Sequence, residues 1–138
     1  MRITSLVPYF LTLCLAAPPA LACGDVYMDV RGVGHVVDVI DNGCGTYLSG
    51  SVNGAGNRLL AETTGAYGTQ ILSQSGTGLQ MHSRTGGVGA SIAAHQQGHN
   101  LSASIVASDG AQVAVVQRGT NSTANVQVNG PNVVRIQQ

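Results

Sequence analysis

The stretch VVQRGTNSTANVQVNG, Val115–Gly130, decides the fold. Short runs of Val and Ala alternate here with Gln, Gly and Asn at fixed offsets. Gly and Asn tolerate the left-handed backbone of tight turns, which accounts for Gly119, Asn121 and Gly130. Nothing local accounts for Gln117. Working outward, Gly119 has counterparts at Gly98, Gly76, Gly54 and Gly32, evenly placed to within one position. Two positions beyond them stand Gly34, Gly56, Gly78, Asn100 and Asn121. A second column, Gly43, Gly65, Gly87, Gly110 and Gly130, follows each first glycine half a period later. A fixed period of this length is the mark of stacked repeats. Each unit reads as strand, turn, strand, turn.

Side chains on a strand alternate between faces, so a true repeat must give consistent inward columns. The positions six, four and two before each first-column glycine, and three, five and seven after it, form such columns. Five units contribute six of these positions each, and 21 of the 30 are apolar. None carries Asp, Glu or Arg. The positions between them hold Asp29, Asp38, Arg58, Glu62, Arg84 and Arg118. One hairpin cannot bury its own apolar face, whereas five stacked hairpins can. The chain is therefore expected to be all-β, a β-solenoid of about five strand-turn-strand rungs with a 22-residue repeat. Stacking also explains Gln117, because Gln74 and Gln96 share its column and Gln138 follows one period on. In rungs about 4.8 Å apart, each buried amide can accept from one neighbour and donate to the other. A lone buried Gln is costly, and a ladder satisfies each member. The tail VVRIQQ then forms half of a sixth rung.

Residues 1–22 read as a secretory signal peptide. Arg2 supplies the positive start, LVPYFLTLCLAA the apolar run, and Ala20-Leu21-Ala22 the cleavage site. The run is too short and too interrupted by proline for a membrane-spanning helix. The mature chain, residues 23–138, keeps Cys23 and Cys44. In an oxidising compartment, three readings stay open for them: a disulfide, a lipid on Cys23, or two free thiols. The lipid reading rests on Ala-Leu-Ala-Cys, which loosely resembles a bacterial lipobox. The formal charge is zero and charged residues make up 9% of the chain. No basic surface suggests nucleic acid. Low charge also weakens the repulsion that keeps chains apart.

With these columns in place, the residues resemble the curlins, subunits of bacterial curli fimbriae and related functional amyloids. The curlin repeat runs Gln-x-Gly-x-x-Asn, then Ala two further on, then Gln, with a period like the one seen here. Gln117-Arg118-Gly119 matches its opening, Ser122 stands where Asn is usual, and Ala124 fits. Gln127 is one residue short of the expected spacing. Gln96-Gln97-Gly98 and Gln74-Ser75-Gly76 match the opening again, and Asn57 matches the Asn in the second unit. Val52 replaces Gln there, and the first unit has Val30 and His35. The resemblance covers about residues 24–138 and is clearest from Gln70 onward. It implies an extracellular β-solenoid that assembles with copies of itself, with a related curlin-like subunit or nucleator, and that leaves the cell through a dedicated outer-membrane pore. Fibre subunits, nucleators and holdfast-anchoring proteins all fit the pattern, and so adhesion and biofilm formation are the expected role.

The residues support assembly on their own terms. Natural sheets protect exposed edges with Lys, Pro, bulges or covering elements, and solenoids need polar caps. The C-terminal end has only Pro131 at a turn and Arg135 in a strand. The N-terminal unit differs, with Asp25, Asp29, Asp38 and Asp41, both cysteines and no ladder Gln. Two readings remain for it: a cap or attachment end, or carboxylates that solvate an outer face. No catalytic or phosphate-binding motif accompanies the scattered His, Ser and Asp, and no cofactor is expected. His95 and His99 would align on a helix, but the repeat puts a turn between them and points both outward. His35, in an inward column, reads as a hydrogen-bonded core histidine. Tyr27, Tyr47 and Tyr67 recur out of step with the repeat and read as outer-face packing. The alternative from another class is a soluble, monomeric β-solenoid binding module whose ends cap themselves.

Overall fold

The computed structural model describes residues 2–6, 12–15 and 23–138. The cleavage site expected at Ala20-Leu21-Ala22 and most of the apolar run lie outside the described residues. The chain is all-β, with parallel strands coiled into a solenoid of about five turns. Among the described residues twelve strands follow in order: β1 (Arg2–Leu6), β2 (Thr12–Leu15), β3 (Cys23–Val33), β4 (Val36–Ala55), β5 (Arg58–Ala66) and β6 (Thr69–Thr77). They continue as β7 (Gln80–Gly86), β8 (Ser91–His99), β9 (Ser102–Ser108), β10 (Gln112–Thr120), β11 (Thr123–Asn129) and β12 (Val133–Gln137).

Two faces result. The first stacks β3, the second half of β4, β6, β8, β10 and β12; the second stacks the first half of β4, β5, β7, β9 and β11. Strand β4 belongs to both because it runs through the turn expected at Gly43. The left-handed backbone there falls on Gly45 instead. In the full chain, β1 pairs with β3 and β2 with β4, along the N-terminal edge. The C-terminal end is stepped, with β12 rising above β10 while nothing among the described residues pairs beyond β11.

Register follows the repeat. Val26 lies beside Leu48, Leu48 beside Gln70, and Gln70 beside Ile92, each one full period on. From β8 to β10 the step shortens by one position, with Ile92 beside Val113. The lost residue is in the turn, where Asp109-Gly110-Ala111 replaces the longer Gly87–Ala90 link. All the inward positions read from the sequence are buried except Ser122, which is half-buried. The core is a column of small and branched side chains, from Val26 and Met28 through Leu48, Leu59, Leu72 and Ile105 to Val115 and Val126. Val134 and Ile136 of β12 pack on its C-terminal end.

Candidate assembly surface

The Gln column forms the expected ladder. Gln74 Nε2 donates to Gln96 Oε1 at 3.0 Å, Gln96 Nε2 to Gln117 Oε1 at 2.9 Å, and Gln117 Nε2 to Gln138 Oε1 at 3.0 Å. Every donor points towards the C-terminal end. Gln96 and Gln117 are 0% exposed. Two rungs also tie the ladder to the opposite face, with Gln74 Nε2 donating to Arg58 O and Gln96 Nε2 to Gln80 O, both at 3.1 Å. The ladder starts abruptly. Gln74 Oε1 is buried with no hydrogen-bond partner, because its neighbour in the preceding rung is Val52. It ends at the open edge, where Gln138 Oε1 accepts from Gln117 and from Ser122 Oγ at 2.6 Å.

Asn57 works differently from the glutamines. Its column holds His35 before it and Leu79 after it, so no amide lies within reach to extend a ladder. Asn57 Nδ2 donates to Asn53 O at 3.0 Å and Gly76 O at 3.1 Å, and its Oδ1 accepts from Leu79 N at 3.0 Å. His35 Nδ1 accepts from Asn57 N at 3.2 Å, so Nε2 carries the proton and donates to Arg31 O at 3.0 Å. Both side chains satisfy inward backbone groups beside the first turn.

Two further polar clusters lie at the inward ends of strands, next to the second turn. Gln70 Nε2 donates to Thr85 Oγ1 at 2.7 Å, Thr63 Oγ1 at 3.1 Å and Glu62 O at 2.6 Å. Asp41 is buried, not part of a solvated outer face; Thr46 Oγ1 donates to both its carboxylate oxygens at 2.9 Å, and Gly43 N donates at 3.1 Å. Asp25, Asp29 and Asp38 remain exposed or half-buried, and Arg31 pairs with Asp29 at 3.0 Å. Cys44 is disulfide-bonded, and the register sets Cys23 beside it.

The turn glycines Gly32, Gly54, Gly76 and Gly98 each press against the carbonyl of the glycine in the next rung, or of Gly119 for the last. Gly119 itself faces open space. Tyr27 and Tyr47 pack on the outer face with ring centroids 5.8 Å apart, while Tyr67 occupies a turn at φ 59°. His99 Nδ1 lies 2.7 Å from Thr77 Oγ1, and His82 Nδ1 3.3 Å from Ser104 Oγ, each linking neighbouring rungs. Among the described residues, no three His, Cys, Asp or Glu side chains gather as a metal site would require. The features that converge are therefore a polar ladder and an open sheet end. Compared with known proteins, the chain matches no protein-family model, no curated protein and no solved structure.

Proposed function

We propose that residues 23–138 are a secreted structural subunit of an extracellular, curlin-like fibre or surface-anchoring assembly that serves adhesion and biofilm formation. The observation that carries this reading is the Gln74–Gln138 ladder, which runs through the core and ends at the β11–β12 edge, where no further strand pairs among the described residues. A ladder that reaches an open sheet edge is a template for another chain. An edge of about ten backbone groups, at about 1 kcal/mol net each, supplies on the order of 10 kcal/mol for docking. That exceeds the low end of association penalties, about 4 kcal/mol. The partners are other copies of the chain, a related curlin-like subunit or nucleator, and an outer-membrane secretion pore.

The competing reading is a monomeric β-solenoid binding module. The disulfide at Cys44 favours it, since it ties off the N-terminal rung. Thioflavin T fluorescence on residues 23–138, freshly desalted from denaturant, separates the two. A lag followed by growth of unbranched fibres in electron micrographs is the expected result. A clear, monomeric, β-rich solution would instead hand the lead to the binding module.

A further inference from the structure

Each rung is one motif used twice. Residues with positive φ recur at eleven-residue steps: Gly34, Gly45, Gly56, Tyr67, Gly78, Gly89 and Asn100. A half-rung is thus one strand and one turn, and the second face is the first turned by half a revolution about the solenoid axis. From β3 to β12 the chain makes eleven half-rungs, because the first face has six strands and the second five. The odd count leaves the C-terminal end stepped. Including β1 and β2 adds one strand to each face and keeps the count odd.

We propose that copies of residues 23–138 stack end to end, each turned by half a revolution relative to the one below. The incoming β3 then adds to β11, and the first half of the incoming β4 adds to β12. This arrangement rests on the self-assembly proposed above and specifies its geometry. It continues the half-turn screw that already runs within one chain, and it fills the step.

The eleven-residue step fixes which residues meet. Val134, Ile136 and Gln138 stand in the columns of Val26, Met28 and Val30. One half-rung on from those three come Val37, Val39 and Asp41. In the turned stack, Val134 and Ile136 therefore meet the incoming Val37 and Val39. Gln138, the last ladder amide, meets the buried Asp41 carboxylate. On the other face Ala124, Val126 and Val128 meet Val26, Met28 and Val30, an apolar match throughout. Outside, the exposed Arg135 meets Asp38, so charge is complementary as well. Unturned stacking keeps an apolar match for Val134 and Ile136, which then meet Val26 and Met28, and loses the rest. It sets Gln138 over Val30 and Arg135 over Tyr27, and leaves a strand-wide gap above β11. In the full chain the receiving edge is occupied, with Leu13 beside Val37 and Cys14 beside Asp38. Removal of residues 1–22 uncovers it and leaves in place the core from Val26 to Ile136 and the Gln74–Gln138 ladder.

Charge reversal tests the arrangement. On residues 23–138, Arg135→Asp alone and Asp38→Arg alone each slow seeded elongation about three- to ten-fold, since like charges then oppose each other across paired strands. The two changes combined on one chain restore the rate to within about two-fold of the parent. Full-length chain leaves the seeds unextended. A double variant as slow as the singles, or singles as fast as the parent, would overturn the turned stack while leaving fibre formation intact. A parent that forms no fibres would overturn both. Should Asp38→Arg fail to fold, the parent fibre decides: two subunits per axial repeat of about 53 Å support the turned stack, and one per about 29 Å sinks it.

Discussion

The first two rungs and the last three are built on the same backbone plan and held by different means. In the N-terminal rungs the column that later becomes the Gln ladder holds Val30 and Val52, Asp41 is satisfied across its own turn by Thr46, and a disulfide ties Cys44. In the later rungs the same column passes hydrogen bonds from each unit to the next and carries them to the open end. The first rungs satisfy their polar groups locally, and the later ones pass theirs on to the C-terminal end. A buried polar group can thus secure a rung locally or link it to a neighbour, and only the second use extends beyond the chain.

The sharpest break of that comparison is at the turns. Gly76 has φ 143°, and a Cβ there would fall on the Gly98 carbonyl oxygen. Gly76→Ala should cost about 4 kcal/mol or more in urea unfolding, since an interior rung cannot shift without moving its neighbour. Gly119 has a similar φ of 111° but faces open space, so Gly119→Ala should cost about 1 kcal/mol. Equal costs would show that the terminal rung is as confined as the inner ones.

The next effect belongs to the N-terminal end. Cys44→Ser should lower stability by about 3 kcal/mol, the constraint expected for a loop of roughly twenty residues. Cys23→Ser should match it, because Cys23 is the register neighbour of Cys44. Thiol titration of the two variants checks the pairing directly, and a free Cys44 thiol in the unmutated mature chain would exclude it.

The effect on the ladder is smaller than that of the disulfide and more discriminating. Gln96→Leu leaves Gln74 Nε2 without its ladder acceptor and Gln117 Oε1 without its donor, and should cost about 2 kcal/mol. The triple change of Gln74, Gln96 and Gln117 to Leu should cost less per residue, because it removes both partners of the two inner ladder bonds. Additive losses would mean that the glutamines act separately rather than as a ladder.

The repeat, the inward columns and the Gln ladder are legible in the sequence because strand alternation and a constant period reinforce one another over five units. The corners are not. Alternation assigns faces only within a strand, and a short turn can hand over either parity to the next one. Thr63, Thr85 and Asp41 keep the inward parity of their strands two positions past the columns, but they stand beside glycines read as turns, so Asp41 reads with the carboxylates of a cap or an outer face. Gly43 reads as a turn by its place in the repeat, yet Gly45 takes the left-handed conformation and β4 runs on. Asn57 keeps its inward place but has no ladder, since a ladder needs the same side chain in the next rung and Leu79 stands there.

The constant one-rung separation between bonded neighbours has a mechanical consequence. Each rung touches only the ones before and after it, so strength along the axis is local rather than shared. A pull on the C-terminal end would lift the chain one half-rung at a time, in small similar steps. The same pull on the N-terminal end would meet the covalent link at Cys44 first. The molecule should therefore unzip from one direction and hold fast from the other.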